Sequence, residues 1–199
     1  MKRIISLILV VFIVGGTITL TGCKKDESYE KFTDYSFDYF DTVTTIIGYE
    51  KSKQNFDKNC DKIKGLLDEY HKLYTIYNRY DEINNLCLIN SIKDGKHSKL
   101  EVDAKIIDML KFAKEMYELS DGKLNVAMGS VLSIWHNYRQ DGISSPENAK
   151  LPSVKALSEA NEHTDINNLI IDEEKGTVYI SDPQMKLDVG AVAKGYAVE

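Results

Sequence analysis

Apolar residues recur at steps of three and four along residues 52–74, the clearest periodic pattern in the chain. The stripe consists of Phe56, Cys60, Ile63, Leu67, Tyr70 and Tyr74. Such spacing places the side chains on one face of an α-helix. The same argument predicts a helix over residues 103–119, with Asp103 as its N-cap and Asp121-Gly122 as its end.

Two shorter helices and two loops are predicted between these patterns. One helix covers residues 82–90 behind an Asp81 cap, and another begins at Pro152-Ser153 and ends near Ala160. Polar turn residues predict a turn at 93–96 and a loop over 139–150. Two residues near these elements, His71 and Trp135, are interpreted as a surface or packing histidine and as a core aromatic.

Strand patterns occur at both ends of the chain. Aromatic and β-branched residues over 35–49 predict one long strand with a bend or bulge near Phe40-Asp41. Residues 168–172 and 177–181, joined by Glu173-Glu174-Lys175-Gly176, predict a β-hairpin. The chain therefore has the pattern of an α+β fold, with helices packed on a mixed or antiparallel sheet.

Composition narrows the function classes. The 199 residues carry 43% hydrophobic side chains and a net charge of −6, and removing Lys2 and Arg3 with residues 1–22 lowers that by two, to about −8. An acidic chain with scattered lysines does not suit nucleic acid or anionic lipid. The four histidines are scattered without metal-ligand spacing, which makes a zinc site improbable, and no Gly-x-Ser-x-Gly elbow is present.

The N-terminus has the organisation of a bacterial lipoprotein signal. A positive Lys2-Arg3 pair precedes an apolar run over residues 4–14, and Leu20-Thr21-Gly22-Cys23 resembles a lipoprotein box. We expect a signal peptide over 1–22, a lipidated tether over 23–34 and a folded domain over 35–199. The resemblance implies acylation of Cys23 and attachment to the bacterial cell membrane, facing outside the cytoplasm. The alternative is an ordinary secretory signal with a chance cysteine.

The other two cysteines lie on apolar faces of predicted helices. Cys60 and Cys87 are interpreted as buried thiols, and a disulfide between them stays open because sequence does not fix its geometry.

The candidate chemistry is concentrated in residues 186–199. They predict a short strand that ends at Asp188, a turn at Gly190 and the start of a helix that carries Lys194. A carboxylate, unpaired helix-start amides and an ammonium group within seven residues suit a diphosphate carried with a divalent metal. The alternative is a strand–turn–helix junction with a surface aspartate and a surface lysine.

The segment Asp188-Val189-Gly190-Ala191-Val192-Ala193-Lys194-Gly195-Tyr196-Ala197-Val198-Glu199 resembles the Asp-Leu-Gly-Gly-Ile-Ala-Lys-Gly-Tyr-Ala-Val-Asp signature of the ApbE family, the FAD:protein FMN transferases. Its departures from that signature, which include Ala191 for glycine and Glu199 for aspartate, are near-isosteric. The resemblance implies an ApbE-like, T-fold-like domain that is incomplete at its C-terminus, because the family continues for more than a hundred residues.

Three other stretches support the resemblance. Phe40-Asp41-Thr42 is similar to a family element at the flavin, although Phe40 also suits a sheet core. The loop around Tyr77 resembles one that lies against the adenine of FAD, with Tyr74 and Tyr80 as register alternatives. Lys123-Leu124-Asn125 stand where the family has a flavin-contacting Ala-Phe-Asp; an asparagine there keeps hydrogen-bonding capacity but loses the charge.

The resemblance implies a Mg²⁺-dependent transfer of FMN from FAD to a threonine of an acceptor protein, with release of AMP. Asp188 and Lys194 would bind FAD, and the carbonyl of Ala191 would help to ligate Mg²⁺. Redox membrane complexes are plausible acceptors, and the general base is not identified. The alternatives are a lipoprotein that binds FAD without transferring FMN, an inactive fragment of the transferase, and a structural lipoprotein without ligand.

Overall fold

The computed structural model describes residues 28–92 and 99–199. The signal peptide, Cys23 and the turn predicted at 93–96 lie outside the described residues. The chain divides into two compact units. The first contains the described residues up to Tyr35 together with Thr45–Asp61, and the second contains Ser36–Thr44 and Lys62–Glu199.

The long strand predicted over 35–49 is two paired strands. Strand β1 is Glu30–Ser36 and strand β2 is Thr44–Glu50. The intervening residues include Phe40 and Asp41 with φ of 54° and 50°, a left-handed conformation that breaks the extended backbone.

Strand β1 also begins inside the segment predicted to be a tether. Inward and outward side chains alternate along it, as in a half-buried strand. Within the first unit, the ring of Phe32 lies 5.5 Å from that of Phe56, and the Phe56 ring passes over Gly48. This packing accounts for a strand where the polar composition predicted none.

Helix α1 is Lys53–Tyr74, as the periodicity predicts. Its stripe is buried except at Ile63 and Tyr70: Ile63 is 40% exposed and Tyr70 is half-buried. The remaining described elements of the second unit are helix α2 (Leu86–Ser91), strand β3 (Leu100–Glu101), helix α3 (Ala104–Leu119), helix α4 (Gly129–Ser144), a 3₁₀ turn (Pro146–Asn148), helix α5 (Val154–Asn161), a second 3₁₀ turn (Ile166–Asn168), strands β4 (Leu169–Asp172) and β5 (Thr177–Ile180), and helix α6 (Ala193–Tyr196).

The second sheet has the order β3-β5-β4 and is antiparallel. The hairpin is confirmed, with Leu169 opposite Ile180 and Asp172 opposite Thr177. Its inner face joins α3 and the segment before α6 in one core that contains fully buried Ile106, Leu110 and Leu187, among others. The α+β prediction is confirmed, because helices pack on antiparallel strands.

The Asp103 cap and the helix start at Pro152-Ser153 follow the prediction, and the Asp81 cap does not. Asp103 accepts the Lys105 N–H at 2.8 Å, and Ser153 caps α5. The Asp81 cap is wrong: Glu82 has a φ of 63° and a turn closes there, so α2 begins only after Asn85. Asn85 is fully buried and accepts the Leu88 N–H at 3.1 Å.

Two predictions about the region of α4 are also wrong. The loop predicted over 139–150 is helical to Ser144 and continues into the 3₁₀ turn at Pro146–Asn148. Trp135 is 43% exposed instead of buried, because α4 buries its first residues, Gly129 and Ser130, and turns the tryptophan outward.

The strand predicted before Asp188 is a single parallel bridge between Lys186 and Met128. Pairing is limited because both backbone groups of Leu187 bond to the side chain of Asn90, which takes the place of a neighbouring strand. Gly129 permits the close approach of this segment, since a Cβ there would lie 2.6 Å from the Lys186 carbonyl oxygen.

In the described part of the chain, no helix combines the length and apolar character needed to cross a bilayer. Cys60 and Cys87 both carry thiols and not a disulfide.

Candidate functional site

A cavity of about 550 Å³ in the second unit brings together four residues that the sequence predicts to bind FAD: Phe40, Tyr77, Asp188 and Lys194. Such a volume lies within the range of small-molecule sites. The other lining residues are Asp41, His71, Thr75, Ile76, Asn78, His136, Arg139, Gln140, Val189, Gly190 and Ala193. A second cavity of about 440 Å³ shares Ile76, Tyr77, His136 and Asp188 with the first, so the two are contiguous.

Asp188 is held at the cavity through its backbone and its own carboxylate. Its N–H donates to the Val126 carbonyl at 2.8 Å, and the preceding Leu187 is bonded to Asn90 on both sides. Oδ1 of Asp188 accepts the Gly190 N–H at 3.0 Å. The carboxylate is therefore oriented by a short local turn, and it is only half-buried.

In the turn after Asp188, three backbone N–H groups are hydrogen-bonded within the chain, whereas the sequence predicts unpaired amides. The N–H of Gly190 bonds to Asp188, and those of Val192 and Ala193 donate to the Val189 carbonyl. These three amides are satisfied within the chain and do not form the predicted row of unpaired donors. The positive charge of Lys194, an exposed residue that lines the cavity, is then the main feature of this segment that favours an anion.

Phe40 forms part of the cavity wall in a left-handed turn with a φ of 54°. Its N–H donates to Nδ1 of His71 at 3.0 Å, and the two rings meet edge to face with centroids 5.7 Å apart. Phe40 also packs against the core. Phe40 therefore packs against the core and also lines the cavity.

Tyr77 is the tyrosine of its loop that lines the cavity, at 54% exposure. Its ring lies against His136 with centroids 5.2 Å apart, and Arg139 Nη2 is 3.3 Å from His136 Nδ1. Partial burial, with the nearby carboxylates of Asp188 and Asp41, raises the pKa of Tyr77. The phenol therefore stays protonated near neutral pH and remains a hydrogen-bond donor.

The two alternative tyrosines of this stretch, Tyr74 and Tyr80, do not line either cavity. Tyr74 is buried in the core, and its hydroxyl donates to the Lys105 carbonyl at 3.0 Å. Burial also raises the pKa of Tyr74. The ring of Tyr80 receives the Lys72 ammonium at 5.8 Å and is not among the residues that line either cavity.

Three predicted flavin contacts are not brought to these cavities. Lys123, Leu124 and Asn125 line neither of them. Leu124 packs against the core, and Asn125 donates to the Thr164 carbonyl and accepts the Ala127 N–H, both at 2.8 Å. The amide of Asn125 thus fastens the start of α4. Ala191 is exposed and also lies outside the lining residues.

Four residues at the site were not predicted to belong there: His71, Asn90, His136 and Arg139. His71 and Asn90 act on backbone groups 31 and 97 residues away, respectively, which no local pattern reveals. His136 and Arg139 are one turn apart on α4, a spacing that puts them on one helix face. The loop predicted over residues 139–150 placed Arg139 outside any helix, so this relation between the two residues was not predicted.

A larger cavity of about 620 Å³ lies elsewhere in the unit, among Asp68, Glu69, Glu82, Glu101 and Asp103 with Lys72. It contains none of the predicted site residues. Over residues 28–92 and 99–199, no group of three or more His, Cys, Asp or Glu side chains is placed to hold a metal ion.

Comparison with models of known protein families gives a match over most of the chain. Residues 40–199 match the family model described as the ApbE family. The match begins at the Phe40-Asp41-Thr42 element and runs to the last residue of the signature.

Curated relatives share low identity with the chain. It is 26% identical over 140 residues to a FAD:protein FMN transferase of Klebsiella pneumoniae, a match that covers 70% of this chain and 40% of that protein. It is 23% identical over 207 residues to the protein of that name from Haemophilus influenzae, covering all of this chain and 54% of the relative. The chain therefore spans about half the length of the curated relatives it matches.

Solved structures share the fold. The ApbE protein of Thermotoga maritima superposes with a TM-score of 0.64 at 24% identity, covering 85% of this chain and 50% of that one. The flavin transferase ApbE of Vibrio cholerae gives 0.68 at 20% identity, with coverage of 85% and 51%.

Proposed function

Because this chain belongs to the ApbE family, we propose that the protein transfers FMN from FAD to a threonine of an acceptor protein. In this reaction the threonine oxygen attacks the FMN phosphorus, the P–O bond to the AMP half breaks, and AMP leaves with the electron pair of that bond. The threonine hydroxyl proton passes to solvent, so the products are the FMN–threonine phosphoester, AMP and a proton. The name carried by the curated relatives supports the proposal.

One observation carries the proposal. Phe40, Tyr77, Asp188 and Lys194 come from three distant parts of the chain and line one cavity. An aromatic face suits a purine or flavin ring through stacking, worth about 1–3 kcal/mol per base. A lysine suits the diphosphate, and the contiguous second cavity gives room for an elongated dinucleotide.

Mg²⁺ belongs to the same proposal. Hard oxygen ligands suit this ion, which commonly binds through one or two carboxylates together with substrate phosphates. Asp41 and Asp188 line the cavity, so the residues present fit an ion held jointly with a diphosphate. We propose that Asp188 lies at that ion. The family resemblance adds the carbonyl of Ala191, an exposed residue of the same turn that is not among the cavity-lining residues. When bound, Mg²⁺ would neutralise the charge that spreads over the phosphates.

The remaining roles fall to side chains that the structure describes. Lys194 would bind a phosphate oxygen, and Tyr77 would face a ring of the cofactor. Phe40 would form an apolar part of the cavity wall. The Tyr77 hydroxyl, whose pKa is raised, would donate a hydrogen bond and not act as a base.

A gel assay tests the proposal. The protein is incubated with FAD, Mg²⁺ and an acceptor domain that contains a target threonine, and the denatured gel is examined for flavin fluorescence. We expect a fluorescent acceptor band that needs both FAD and Mg²⁺, and none when the threonine is alanine. An acceptor that stays dark under all conditions, with FAD retained by the protein, would contradict transfer.

That last outcome is the second candidate function, a lipoprotein that binds FAD without transferring FMN. Asn125 favours it, because its amide is engaged with Thr164 and Ala127 and its position carries no charge. Equilibrium dialysis against FAD, in parallel with the gel assay, separates a binding protein from a transferase and from a protein that binds neither.

We also propose that Cys23 carries a lipid that anchors the protein on the outer side of a bacterial cell membrane, near membrane redox complexes that contain acceptor subunits. The lipoprotein box of residues 20–23 supports this. Replacing Cys23 by serine should move the protein from the membrane fraction to the soluble fraction. An unchanged distribution would rule the anchor out.

A further inference from the structure

His71 lies where the proposed FAD cavity meets the turn at Phe40. Its Nδ1 accepts the Phe40 N–H at 3.0 Å across 31 residues of sequence, and the two rings meet edge to face. Both His71 and Phe40 line the cavity. The hydrogen bond therefore joins the part of the cavity wall that contains Phe40 to helix α1, which carries His71.

The turn that this bond holds is strained. Phe40 and Asp41 have φ of 54° and 50°, a left-handed conformation that is unfavourable for residues other than glycine. Such a turn persists only when the surrounding structure fixes it. The bond to His71 is a tertiary contact that does so from another element.

The bond also fixes the protonation state of His71. A backbone N–H only donates, so Nδ1 must offer its lone pair and the ring proton must be on Nε2. A protonated imidazolium carries hydrogen on both nitrogens and accepts no bond. The observed contact is available only to neutral His71.

We propose that His71 is a positioning residue that holds the Phe40–Asp41 turn against the FAD cavity in its neutral form, and that protonation of His71 releases the turn and weakens FAD binding. The inference rests on the proposed function for its ligand. Histidine ordinarily changes charge between about pH 5 and 8, so the effect falls in an accessible range.

Other groups around His71 bear on its titration. The titratable and charged residues that line the cavity with it are Asp41, Tyr77, His136, Arg139, Asp188 and Lys194. On its own helix, Asp68 and Lys72 neighbour it and pair with each other. Carboxylates favour the imidazolium and cations oppose it, so a test must remove the titration at residue 71 alone.

A His71→Asn variant does this. The Oδ1 of asparagine is attached to Cγ, as Nδ1 is in histidine, and it accepts a hydrogen bond at every pH in this range. His71→Leu removes the acceptor at every pH. His136→Asn is the matched control, because it removes the other histidine of the cavity and leaves the bond to Phe40.

The first measurement follows the Phe40 amide by ¹H–¹⁵N NMR from pH 8 to pH 5. We expect this resonance to titrate together with the His71 ring in the wild type and in His136→Asn, and to stay fixed in His71→Asn. The inference is overturned if the chemical shift of the Phe40 amide does not change with pH in the wild type, or if it still changes with pH in His71→Asn. This result does not depend on FAD.

The second measurement is FAD affinity from fluorescence quenching over the same range, with circular dichroism to verify the fold. We expect the wild type to lose about tenfold in affinity at the acidic end, the value of about one hydrogen bond. The affinity of His71→Asn should not change with pH, and that of His71→Leu should be low throughout. If the wild type binds FAD equally well at every pH, the inference fails while the proposed function stands.

If the wild type binds no FAD at any pH, the proposed function fails and the ligand half of the inference fails with it. The Phe40 amide still decides whether His71 holds the turn.

Discussion

A single methyl group at Gly129 would disturb the backbone that leads to the site. A Cβ at this position would lie 2.6 Å from the Lys186 carbonyl oxygen and 2.9 Å from the Leu187 carbonyl carbon, both of them backbone atoms. Contacts this short force the backbone to move. The segment that would move is the one that ends in Asp188.

We predict that Gly129→Ala lowers the free energy of unfolding by about 1–3 kcal/mol, the usual cost of overpacking. Urea denaturation measures it. The matched control is Gly65→Ala, because Gly65 is inside α1 and a Cβ there meets nothing within 4 Å. That variant should be more stable by up to about 1 kcal/mol. Equal stability of the two variants would contradict the close approach.

Lys194 is the second residue whose substitution has a specific expected effect, in this case on FAD binding. It is exposed, lines the cavity beside Asp188, and supplies a charge suited to a diphosphate. Lys194→Ala should weaken FAD binding by roughly ten- to a hundredfold, because a hydrogen bond to a charged group is worth about 1.5–3 kcal/mol. Fluorescence titration with FAD provides the measurement.

Lys155→Ala is the control for the lysine variant. Lys155 is on the exposed surface of α5, 3.8 Å from Glu159, and its loss should leave the affinity for FAD unchanged. If both variants bind FAD as the wild type does, Lys194 is not a ligand of the cofactor.

At the scale of elements, the side chain of Asn90 makes two backbone hydrogen bonds of the kind that a neighbouring strand would make. Asn90 at the end of α2 donates to the Leu187 carbonyl at 2.9 Å and accepts the Leu187 N–H at 2.7 Å. The two bonds imitate a bridge between neighbouring strands. By holding Leu187 in place, they position the next residue, Asp188, at the cavity.

Asn90→Ala should therefore lower the free energy of unfolding by about 1–3 kcal/mol, since two buried backbone groups lose their partners. It should also weaken FAD binding through the displaced Asp188. Ser91→Ala is the neighbouring control, because the Ser91 hydroxyl is exposed and donates to the Leu88 carbonyl of its own helix. A loss of stability without any change in FAD affinity would contradict the link between Asn90 and the site.

Element prediction succeeded where the signal was local. The periodic stripes of α1 and α3, the Asp103 cap and the hairpin all depend on residues within one or two turns of each other. The Asp81 cap and the loop predicted over 139–150 were wrong for a tertiary reason in each case: the chain reverses at Glu82, and α4 continues through polar residues on its exposed side.

At the scale of the whole molecule, the contact between His163 and Asp182 links overall stability to pH. His163 Nδ1 lies 2.8 Å from Asp182 Oδ2, and both side chains are mostly buried. Burial alone would raise the pKa of Asp182, but hydrogen bonds from the Gln184 N–H and from His163 outweigh it, and the pKa is lowered. A carboxyl with a lowered folded pKa stabilises the protein above its unfolded pKa, and that stabilisation is lost as the pH falls through the folded value.

Asp182→Asn should consequently cost about 1 kcal/mol at pH 7, and the difference from wild type should shrink below about pH 4, the unfolded pKa of aspartate. Urea denaturation at pH 7, 5 and 3 measures it. Asp121→Asn is the control, because Asp121 is exposed in a left-handed turn that asparagine also adopts. A difference at pH 3 as large as at pH 7 would contradict the linkage.

The candidate site was predicted from sequence only in part. The signature and two other stretches pointed to Phe40, Tyr77, Asp188 and Lys194, which the fold brings to one cavity. The same reasoning placed Lys123, Leu124 and Asn125 there, where the structure uses Leu124 for the core and Asn125 to fasten α4. A resemblance transfers a residue's position along the chain, but not the hydrogen bonds that its side chain makes in a different context.

The sequence alone determined the elements with strong local signals, the antiparallel hairpin and the family, because periodicity, caps and a contiguous signature are properties of neighbouring residues. The tertiary fold was needed to show that His71 bonds to Phe40, that Asn90 bonds to both backbone groups of Leu187, and that the Lys186 backbone approaches Gly129 closely. Each of these contacts joins residues that are at least 31 positions apart. Their partners come together only when the core has packed, and no local pattern encodes them.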